Sequence, residues 1–329
     1  DYKFPYLNLP PAQSEQETFQ DLSEFAAGND SAGNMVSFMG GGAYHHYTPA
    51  VVNAIISRGE FLTAYTPYQP EVSQGTLQAI FEYQSLITRL TGMDVSNASH
   101  YDGATAMAEA VNMADVILRG KRKKIILSPS IHPHYRETVN TYNIHDEFEI
   151  VGEDLDPMGS PDQLFDLIDD QTALVVVQYP DFFGRIFDYL KLAEKVHEHK
   201  ALLSMSVNPL ALGMLKPPSE VGADIVTGEG QALGLPMNFG GPYLGILATK
   251  QKYVRSLAGR LIGETVDSRG QRGYVLTLST REQHIKRERA SSNICSNQGL
   301  MALSATVYMS LLGKEGFRKL AELNYHKAH

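Results

Sequence analysis

The chain has 329 residues, which is enough to bury a hydrophobic core of ordinary size. Apolar residues make up 43% and charged residues 20% of it, a balance that excludes a disordered or fibrous protein. The formal net charge of −9 disfavours nucleic acid and anionic membranes as partners, because both are negatively charged. A single cysteine cannot form an internal disulfide, and no apolar run reaches the ~20 residues that span a bilayer. We therefore expect a cytoplasmic protein.

The chain opens at Asp1 without a charged and apolar leader, so we expect no secretory signal. It ends at His329, directly after the helical pattern Glu315–Tyr325. We expect the sequence to be a fragment of a longer polypeptide.

Helical periodicity is clearest over Leu77–Leu90, which Gly92 ends, and over Ala104–Leu118. Later apolar runs are short and nearly continuous, as in strands of a parallel sheet that are buried on both faces; they are Ile125–Leu127, Ala173–Val177, Leu202–Val207, Asp224–Thr227 and Tyr243–Ala248. Helices are predicted at Asp162–Asp170 and Leu190–Lys200, and a hairpin over residues 266–278. This alternation predicts an α/β fold, a mostly parallel sheet with helices on both faces.

Several kinds of chemistry lack support in the sequence. Three histidine pairs suggest zinc, but no third ligand follows at a useful spacing, so we expect no metal; the pairs are His45-His46, His132/His134 and His197/His199. There is no phosphate-binding P-loop, and Gly228, Gly230 and Gly234 fit the dinucleotide fingerprint poorly, which leaves a Rossmann dehydrogenase as a weak alternative. No serine nucleophile elbow exists, and no base is evident for Cys295.

The strongest local signal is Phe61–Gln78, which we call the aromatic segment. Prolines stiffen it, while tyrosine hydroxyls and the Gln69 amide are displayed along it. Such a segment suits a functional site or an interface. A well-packed connection between helices is the plainer interpretation.

A second signal is Asn97–Ala110, where Asp102-Gly103 turns the chain into a helix. The first N–H groups of a helix are free and can hold a phosphate or another anion. Asp102 is a poor companion for a phosphate, and as an N-cap it needs no ligand.

Long stretches of the chain resemble the P-protein family of the glycine cleavage system, the glycine dehydrogenases (decarboxylating), and in particular the first subunit of the members that are split into two polypeptides. The matching stretches run over nearly the whole chain: FMGGGAYHHYTP, EFLTAYTPYQPEVSQG, NASHYDGATAMAEA, HPHYRE, LKPPSEVGADIVTGEGQALGLPMNFGGPYLG and TREQHIKRERASSNIC. Several long words in the right order are far more specific than a single motif.

The resemblance implies fold type I of the pyridoxal phosphate (PLP) enzymes. It also implies an N-terminal segment with a Gly-rich loop over residues 1–60 and a large domain over residues 61–329, with a C-terminal small domain absent. Enzymes of this type need a lysine after a late strand and a carboxylate at the end of a preceding one. Gln231 stands at the lysine position, and the strand that ends in Ser206, Val207 and Asn208 has no carboxylate there. Because an amide forms no imine with an aldehyde, we expect PLP to be on a partner subunit and not covalently on this chain.

The resemblance thus implies the PLP-free α subunit of an α2β2 glycine decarboxylase, an oxidoreductase that is inactive alone. With its partner, subunit 2, it decarboxylates glycine and passes the aminomethyl group to the lipoyl group of H-protein. No catalytic residue is expected in this chain alone; its contribution to the partner's site is expected from Tyr65, Thr66, Tyr68 and Gln69, with His45 and His46 as weaker candidates.

Three further points stay open at this stage. Arg281 and His284 are expected at a subunit interface or an active-site rim, although a solvated helical face is nearly as good an interpretation. One alternative function is a free-standing PLP-dependent transaminase or decarboxylase that uses an unrecognised lysine, such as Lys216 or Lys250. The other is a scaffold that contributes nothing to the pocket.

Overall fold

The computed structural model describes residues 8–31, 33–36, 38, 41–145, 148–290 and 292–328. Of the expected N-terminal segment 1–60, residues 1–7, 32, 37, 39 and 40 lie outside this part, and residue 40 is one of the glycines of the Gly-rich loop. The chain divides into two compact units, Asp1–Gly40 and Gly41–His329. The first contains helix α1 (Glu15–Ala27), whose N-cap Ser14 and Glu17 form a reciprocal capping box.

The second unit begins with helices α2 (Ala50–Ile56), α3 (Gly59–Leu62) and α4 (Gln74–Thr91), and strand β1 (Val95–Ser96) follows. Its central part alternates helix and strand: α5 (Gly103–Leu118), β2 (Lys124–Leu127), α6 (Pro133–Tyr142), β3 (Glu149–Val151), β4 (Thr172–Tyr179), α7 (Leu190–Glu198), β5 (Leu202–Val207), α8 (Pro218–Val221), β6 (Ile225–Glu229) and β7 (Gly245–Thr249). The last elements are β8 (Leu261–Val266), β9 (Arg272–Thr277), α9 (Gln283–Lys286) and α10 (Gly299–Ala328).

Seven of these strands form one sheet in the order β1-β7-β6-β5-β4-β2-β3. The pairs from β6 through β3 are parallel, while β7 runs antiparallel to both of its neighbours. Strands β4 and β5 are almost wholly buried, because apolar clusters cover both faces of the sheet. The predicted mostly parallel α/β fold is confirmed.

The structure corrects two sequence predictions. The segment predicted to be a helix at Asp162–Asp170 is a 3₁₀ helix over Pro161–Leu167, a seven-residue connector between β3 and β4 of the kind for which short 3₁₀ turns are frequent. The run Tyr243–Ala248 forms β7, which starts two residues later and is antiparallel. Because antiparallel strands can also be apolar on both faces, the run itself did not indicate direction.

The predicted hairpin is confirmed as β8 and β9, which form a separate two-stranded sheet against α4. Glutamine amides of α4 pair with its backbone as a neighbouring strand would. Gln84 exchanges two hydrogen bonds of 2.9 Å with the N–H and C=O groups of Ile262, and Gln74 does the same with Tyr274 at 2.8 and 2.9 Å.

The contact between β7 and the start of α5 leaves no room for a side chain. A Cβ on Gly245 would lie 2.4 Å from the carbonyl oxygen of Asp102 and 2.6 Å from the Cβ of His100. We expect Gly245→Ala to lower the free energy of unfolding by about 3 kcal/mol, because α5 would have to shift off the sheet. Denaturant unfolding measures this loss.

The matched control is Gly75→Ala in α4, where a Cβ meets nothing within 4 Å. This change should leave stability unchanged or raise it by up to about 1 kcal/mol. A Gly245→Ala protein that unfolds like the unmodified chain would contradict the close contact.

Candidate cofactor-position site

The carboxyl ends of β2, β4, β5 and β6 meet at one edge of the sheet, where ligands bind in open α/β sheets. A cavity of about 320 Å³ opens there, and we call it the strand-end cavity. Its walls come from residues that follow these strands and from the segment after Gly41; they include Tyr44, His46, His132, Tyr135, Gln178, Asp181, Phe182, Ser206, Asn208 and Glu229.

Glu229, the last residue of β6, places its carboxylate at the N-terminus of α5. Oε2 accepts a hydrogen bond of 2.9 Å from the backbone N–H of Gly103. Oε1 accepts from the N–H groups of Gln231 at 2.9 Å and Leu244 at 3.2 Å. Because the first N–H groups of a helix lack partners within the helix and carry partial positive charge, this is the anion position of α5. A side chain of this chain occupies it.

Burial raises the pKa of the Glu229 carboxyl group to about 7, although the three N–H hydrogen bonds favour the charged form and lower the pKa. The nearby charge of Asp102 raises the same pKa further. Asp102 itself is the N-cap of α5, since its side chain accepts a 2.7 Å hydrogen bond from the N–H of Thr105. The prediction that Asp102 serves as an N-cap is confirmed.

Gln231 lies beside the strand-end cavity and is only 1% exposed. Its amide nitrogen donates to the carbonyl oxygens of Tyr44 at 2.9 Å and Leu235 at 2.8 Å. Its amide oxygen accepts from the N–H of Tyr44 at 3.0 Å. The amide therefore holds the backbone at Tyr44 over the end of β6.

His132 forms the opposite side of the cavity, directly before α6. Its Nδ1 accepts from the N–H of His134 at 3.1 Å, so Nε2 carries the proton and donates to the carbonyl oxygen of Gly41 at 2.7 Å. Burial lowers the pKa of His132, which favours this neutral form. The ring stacks on Tyr135 with centroids 4.8 Å apart and meets the Phe182 ring edge-on.

Glu229, His132 and the aromatic rings around His132 are not among the site residues expected from the sequence. Glu229 stood in the matched stretch GEGQALG, and His132 in HPHYRE. Their position after β6 and β2 was the available signal, because carboxyl strand ends converge in a parallel sheet.

The expected site residues separate into two places. His46 lines the strand-end cavity and His45 is exposed; burial, and then the neighbouring His45, lower the pKa of His46. Tyr65 and Tyr68 line a different cavity of about 160 Å³, formed by the aromatic segment and the start of α10.

Within the aromatic segment, Tyr65 is 94% exposed, and Thr66 and Gln69 are also exposed. Tyr68 is anchored instead: its hydroxyl donates to Asn297 Oδ1 and lies 3.0 Å from the hydroxyl of Ser296. The guanidinium of Arg260 sits 3.9 Å from the centre of its ring. Tyr68 therefore fixes the segment, while Tyr65 extends from it.

Arg281 and His284, which were expected at a subunit interface or an active-site rim, differ in their surroundings. Arg281 donates to the carbonyl oxygens of Gly259 at 2.7 Å and Leu278 at 3.1 Å, whereas His284 is largely exposed. In the part of the chain that the structure describes, no three histidine, cysteine or acidic side chains could hold a metal ion. No helix of that part is long and apolar enough to cross a membrane.

The residues at the strand-end cavity do not fit covalently held PLP. Gln231 offers no amine, and its amide is fully hydrogen-bonded. The N–H of Gly103 that a phosphate would need is occupied by Glu229. The end of β5 itself offers no carboxylate for a pyridine nitrogen, because Ser206 is buried there and Asn208 accepts from the N–H of Leu210.

Comparisons with solved structures identify the class of this fold. The chain matches a crystal structure of glycine decarboxylase (P-protein) of the glycine cleavage system with a TM-score of 0.90 and 46% identity, over 96% of this chain and 70% of the other. A sphingosine-1-phosphate lyase from Burkholderia pseudomallei shares the fold alone, at a TM-score of 0.63 and 15% identity over 97% and 74% of the two chains. The chain thus has the fold of the fold type I PLP enzymes.

The sequence comparisons define the family. The family model of the glycine cleavage system P-protein matches residues 4–329. The chain is 58% identical to a probable glycine dehydrogenase (decarboxylating) subunit 1 from Thermomicrobium roseum, over 100% of this chain and 73% of that protein. It is 54% identical to the protein of the same name from Desulforamulus reducens, over 95% and 70%. The chain belongs to the glycine cleavage system P-protein family, and the predicted family and fold are confirmed.

The raised pKa of Glu229 predicts a pH dependence of stability. An acid whose pKa rises from 4.5 to about 7 on folding stabilises the protein below pH 4.5, and this contribution is lost as the pH rises through about 7. Relative to Glu229→Gln, which cannot titrate, the free energy of unfolding of the unmodified chain should fall by up to about 3 kcal/mol across this window.

Urea unfolding of both proteins at intervals of pH measures the difference. Taking the difference removes the contributions of the histidines, which the two proteins share, while burial raises the pKa of Tyr83 and Tyr135 so that both titrate above this pH window. A constant difference between pH 4.5 and 7 would show that folding does not raise the pKa of Glu229.

Proposed function

We propose that this chain is the cofactor-free subunit 1 of a split glycine decarboxylase. With subunit 2, which carries PLP, it decarboxylates glycine and passes the aminomethyl group to the lipoyl group of H-protein, within an α2β2 complex. The names of its relatives support the enzyme and the second subunit. The observation that carries the division of labour is Gln231, whose buried amide stands where a PLP-binding lysine is required.

A free-standing PLP transaminase or decarboxylase is not favoured, because neither alternative lysine suits the strand-end cavity. Lys250 follows β7, which runs antiparallel, so it lies at the opposite edge of the sheet. Its ammonium group pairs there with Asp224 at 2.7 Å. Lys216 is exposed.

The aromatic segment is proposed to form part of the partner's active-site wall. In fold type I assemblies that site lies at a subunit boundary, and Tyr65 offers an exposed phenol on a segment that Tyr68 anchors. Thr66 and Gln69 supply further exposed donors on the same segment. His45 and His46 are proposed as a weaker contribution from the first residues of this unit.

The remaining expectations enter as parts of the same proposal. The large domain is assigned to residues 61–329, after an N-terminal segment with the Gly-rich loop over residues 1–60. We also propose that the complex works in the cytoplasm, where glycine and lipoylated H-protein are its substrates.

Reconstitution tests the division of labour. The purified chain should form no imine with PLP and should catalyse no exchange of the glycine carboxyl group with bicarbonate, because it has no amine at residue 231. Addition of subunit 2 should produce exchange. Borohydride reduction of the active mixture followed by peptide mapping should find the phosphopyridoxyl group on subunit 2.

The same mixture decides between the alternatives. Exchange activity or a reduced coenzyme adduct on the isolated chain would support the free-standing enzyme and contradict the proposal. A mixture that never forms a complex would contradict the assignment as subunit 1.

Substitution of Tyr65 tests whether this chain contributes to the partner's active-site wall or is only a scaffold. Tyr65→Ala should lower the exchange rate of the complex at least about tenfold, because an exposed phenol would lose its contacts with the partner's site. Complex formation, measured by sedimentation, and the melting temperature of the isolated chain should stay unchanged, since the side chain is 94% exposed.

Tyr65→Phe serves as the matched control, because it keeps the ring and removes only the hydroxyl group. A loss in both variants assigns the effect to the hydroxyl group, whereas a loss in Tyr65→Ala alone assigns it to the ring. Unchanged exchange in both would mean that the segment is only a packed connection.

A further inference from the structure

We propose that Glu229 and Gln231 together close the coenzyme position of this chain from within, so that restoring the lysine alone cannot restore coenzyme binding. Glu229 acts as a built-in anion at the start of α5, and Gln231 as a clamp on the backbone at Tyr44. This inference deepens the proposed function, in which the coenzyme belongs to the partner subunit.

The anion position at the start of α5 is already occupied by Glu229. A phosphate ester bound at α5 would need the N–H of Gly103, which donates to Glu229 Oε2 at 2.9 Å. Above the raised pKa of Glu229, where its carboxyl group is ionised, the phosphate would also stand against that negative charge, in a partly buried place where Coulomb repulsion is poorly screened. Asp102 adds a second carboxylate at the same helix end. Phosphorylated ligands are therefore excluded by occupancy and by charge.

The space at this position is shaped around Glu229. A Cβ on Gly103 would lie 2.5 Å from the hydroxyl of Tyr135 and 3.0 Å from the Cβ of Glu229. The start of α5 therefore contacts β6 at Gly103, which has no side chain. The Glu229 side chain fills the space next to Gly103. Truncating Glu229 would open room directly at the free N–H groups.

The Gln231 amide holds the backbone at Tyr44 against the end of β6. The Gln231 amide uses both its oxygen and its nitrogen on Tyr44, and its nitrogen also on Leu235. A lysine at this position could still donate to the two carbonyl oxygens, but it accepts no hydrogen bond, so the N–H of Tyr44 would lose its partner. The introduced amine would thus be held by backbone oxygens until the segment at Tyr44 moves.

The test compares Gln231→Lys with the double variant Glu229→Ala/Gln231→Lys, using PLP and unphosphorylated pyridoxal as probes. The lysine amine and the probe aldehyde condense to an imine with loss of water. Borohydride reduces it, and the adduct is counted by intact mass and mapped to residue 231.

Gln231→Lys alone should take up pyridoxal in preference to PLP, because only the phosphate meets Glu229. The double variant should bind PLP at least about tenfold more tightly than Gln231→Lys, with less than about a threefold change for pyridoxal. Glu229→Gln/Gln231→Lys is the matched control: it removes the charge but keeps an oxygen over Gly103, and should fall between the two.

Two results would overturn the proposal. One is uptake of PLP at residue 231 by Gln231→Lys as tight as its uptake of pyridoxal. The other is a double variant with the melting behaviour of Gln231→Lys and no gain for PLP. Both assays use this chain alone, so they are decided independently of reconstitution with subunit 2.

A second measurement needs no lysine and covers variants that fold poorly. In Glu229→Ala, inorganic phosphate should shift the amide resonance of Gly103, while in the unmodified chain it should not. The absence of a shift in Glu229→Ala would contradict the assignment of this helix start as an anion position that Glu229 fills.

Discussion

The edge of the sheet where ligands bind depends on one constraint: the free N–H groups at the start of a helix need an acceptor. In this chain the acceptor is Glu229, the last residue of the strand that precedes the cofactor position. Burial of the carboxyl group raises its pKa to about 7. Three hydrogen bonds from backbone N–H groups stabilise the charged form and offset part of this cost of desolvation. A coenzyme phosphate would satisfy the same N–H groups, which is why the two arrangements exclude each other.

Among the described residues, three glutamine side chains use both the oxygen and the nitrogen of the amide on the backbone of one distant residue. Gln74 and Gln84 pair with the hairpin, and Gln231 pairs with Tyr44. Each amide presents a donor and an acceptor side by side, so it can replace a strand neighbour where no strand runs. At residue 231 the amide fixes the backbone at Tyr44, and under the proposed function it stands where a catalytic subunit would carry an amine.

The arrangement fits a division of labour between two related chains. The strand-end cavity contains the aromatic cluster around His132 but has neither an amine at residue 231 nor a free anion position at α5. The exposed phenol of Tyr65 lies elsewhere, on the aromatic segment. Tyr68 fixes this segment through its contacts with Asn297 and Arg260. Under the proposed function, the strand-end cavity explains why this chain binds no coenzyme of its own. The aromatic segment is what the chain contributes to the partner's site.

The sequence by itself determined the alternation of strands and helices, the hairpin and the family, because these depend on local periodicity and on residue identity. Only the tertiary structure decided that β7 is antiparallel, that Tyr68 is an anchor, and that Glu229 and Gln231 meet Gly103 and Tyr44. Residues 229 and 103 are 126 positions apart, and residues 231 and 44 are 187 apart. Contacts of that kind are set by the order and direction of strands in the sheet, which no local pattern of residues encodes.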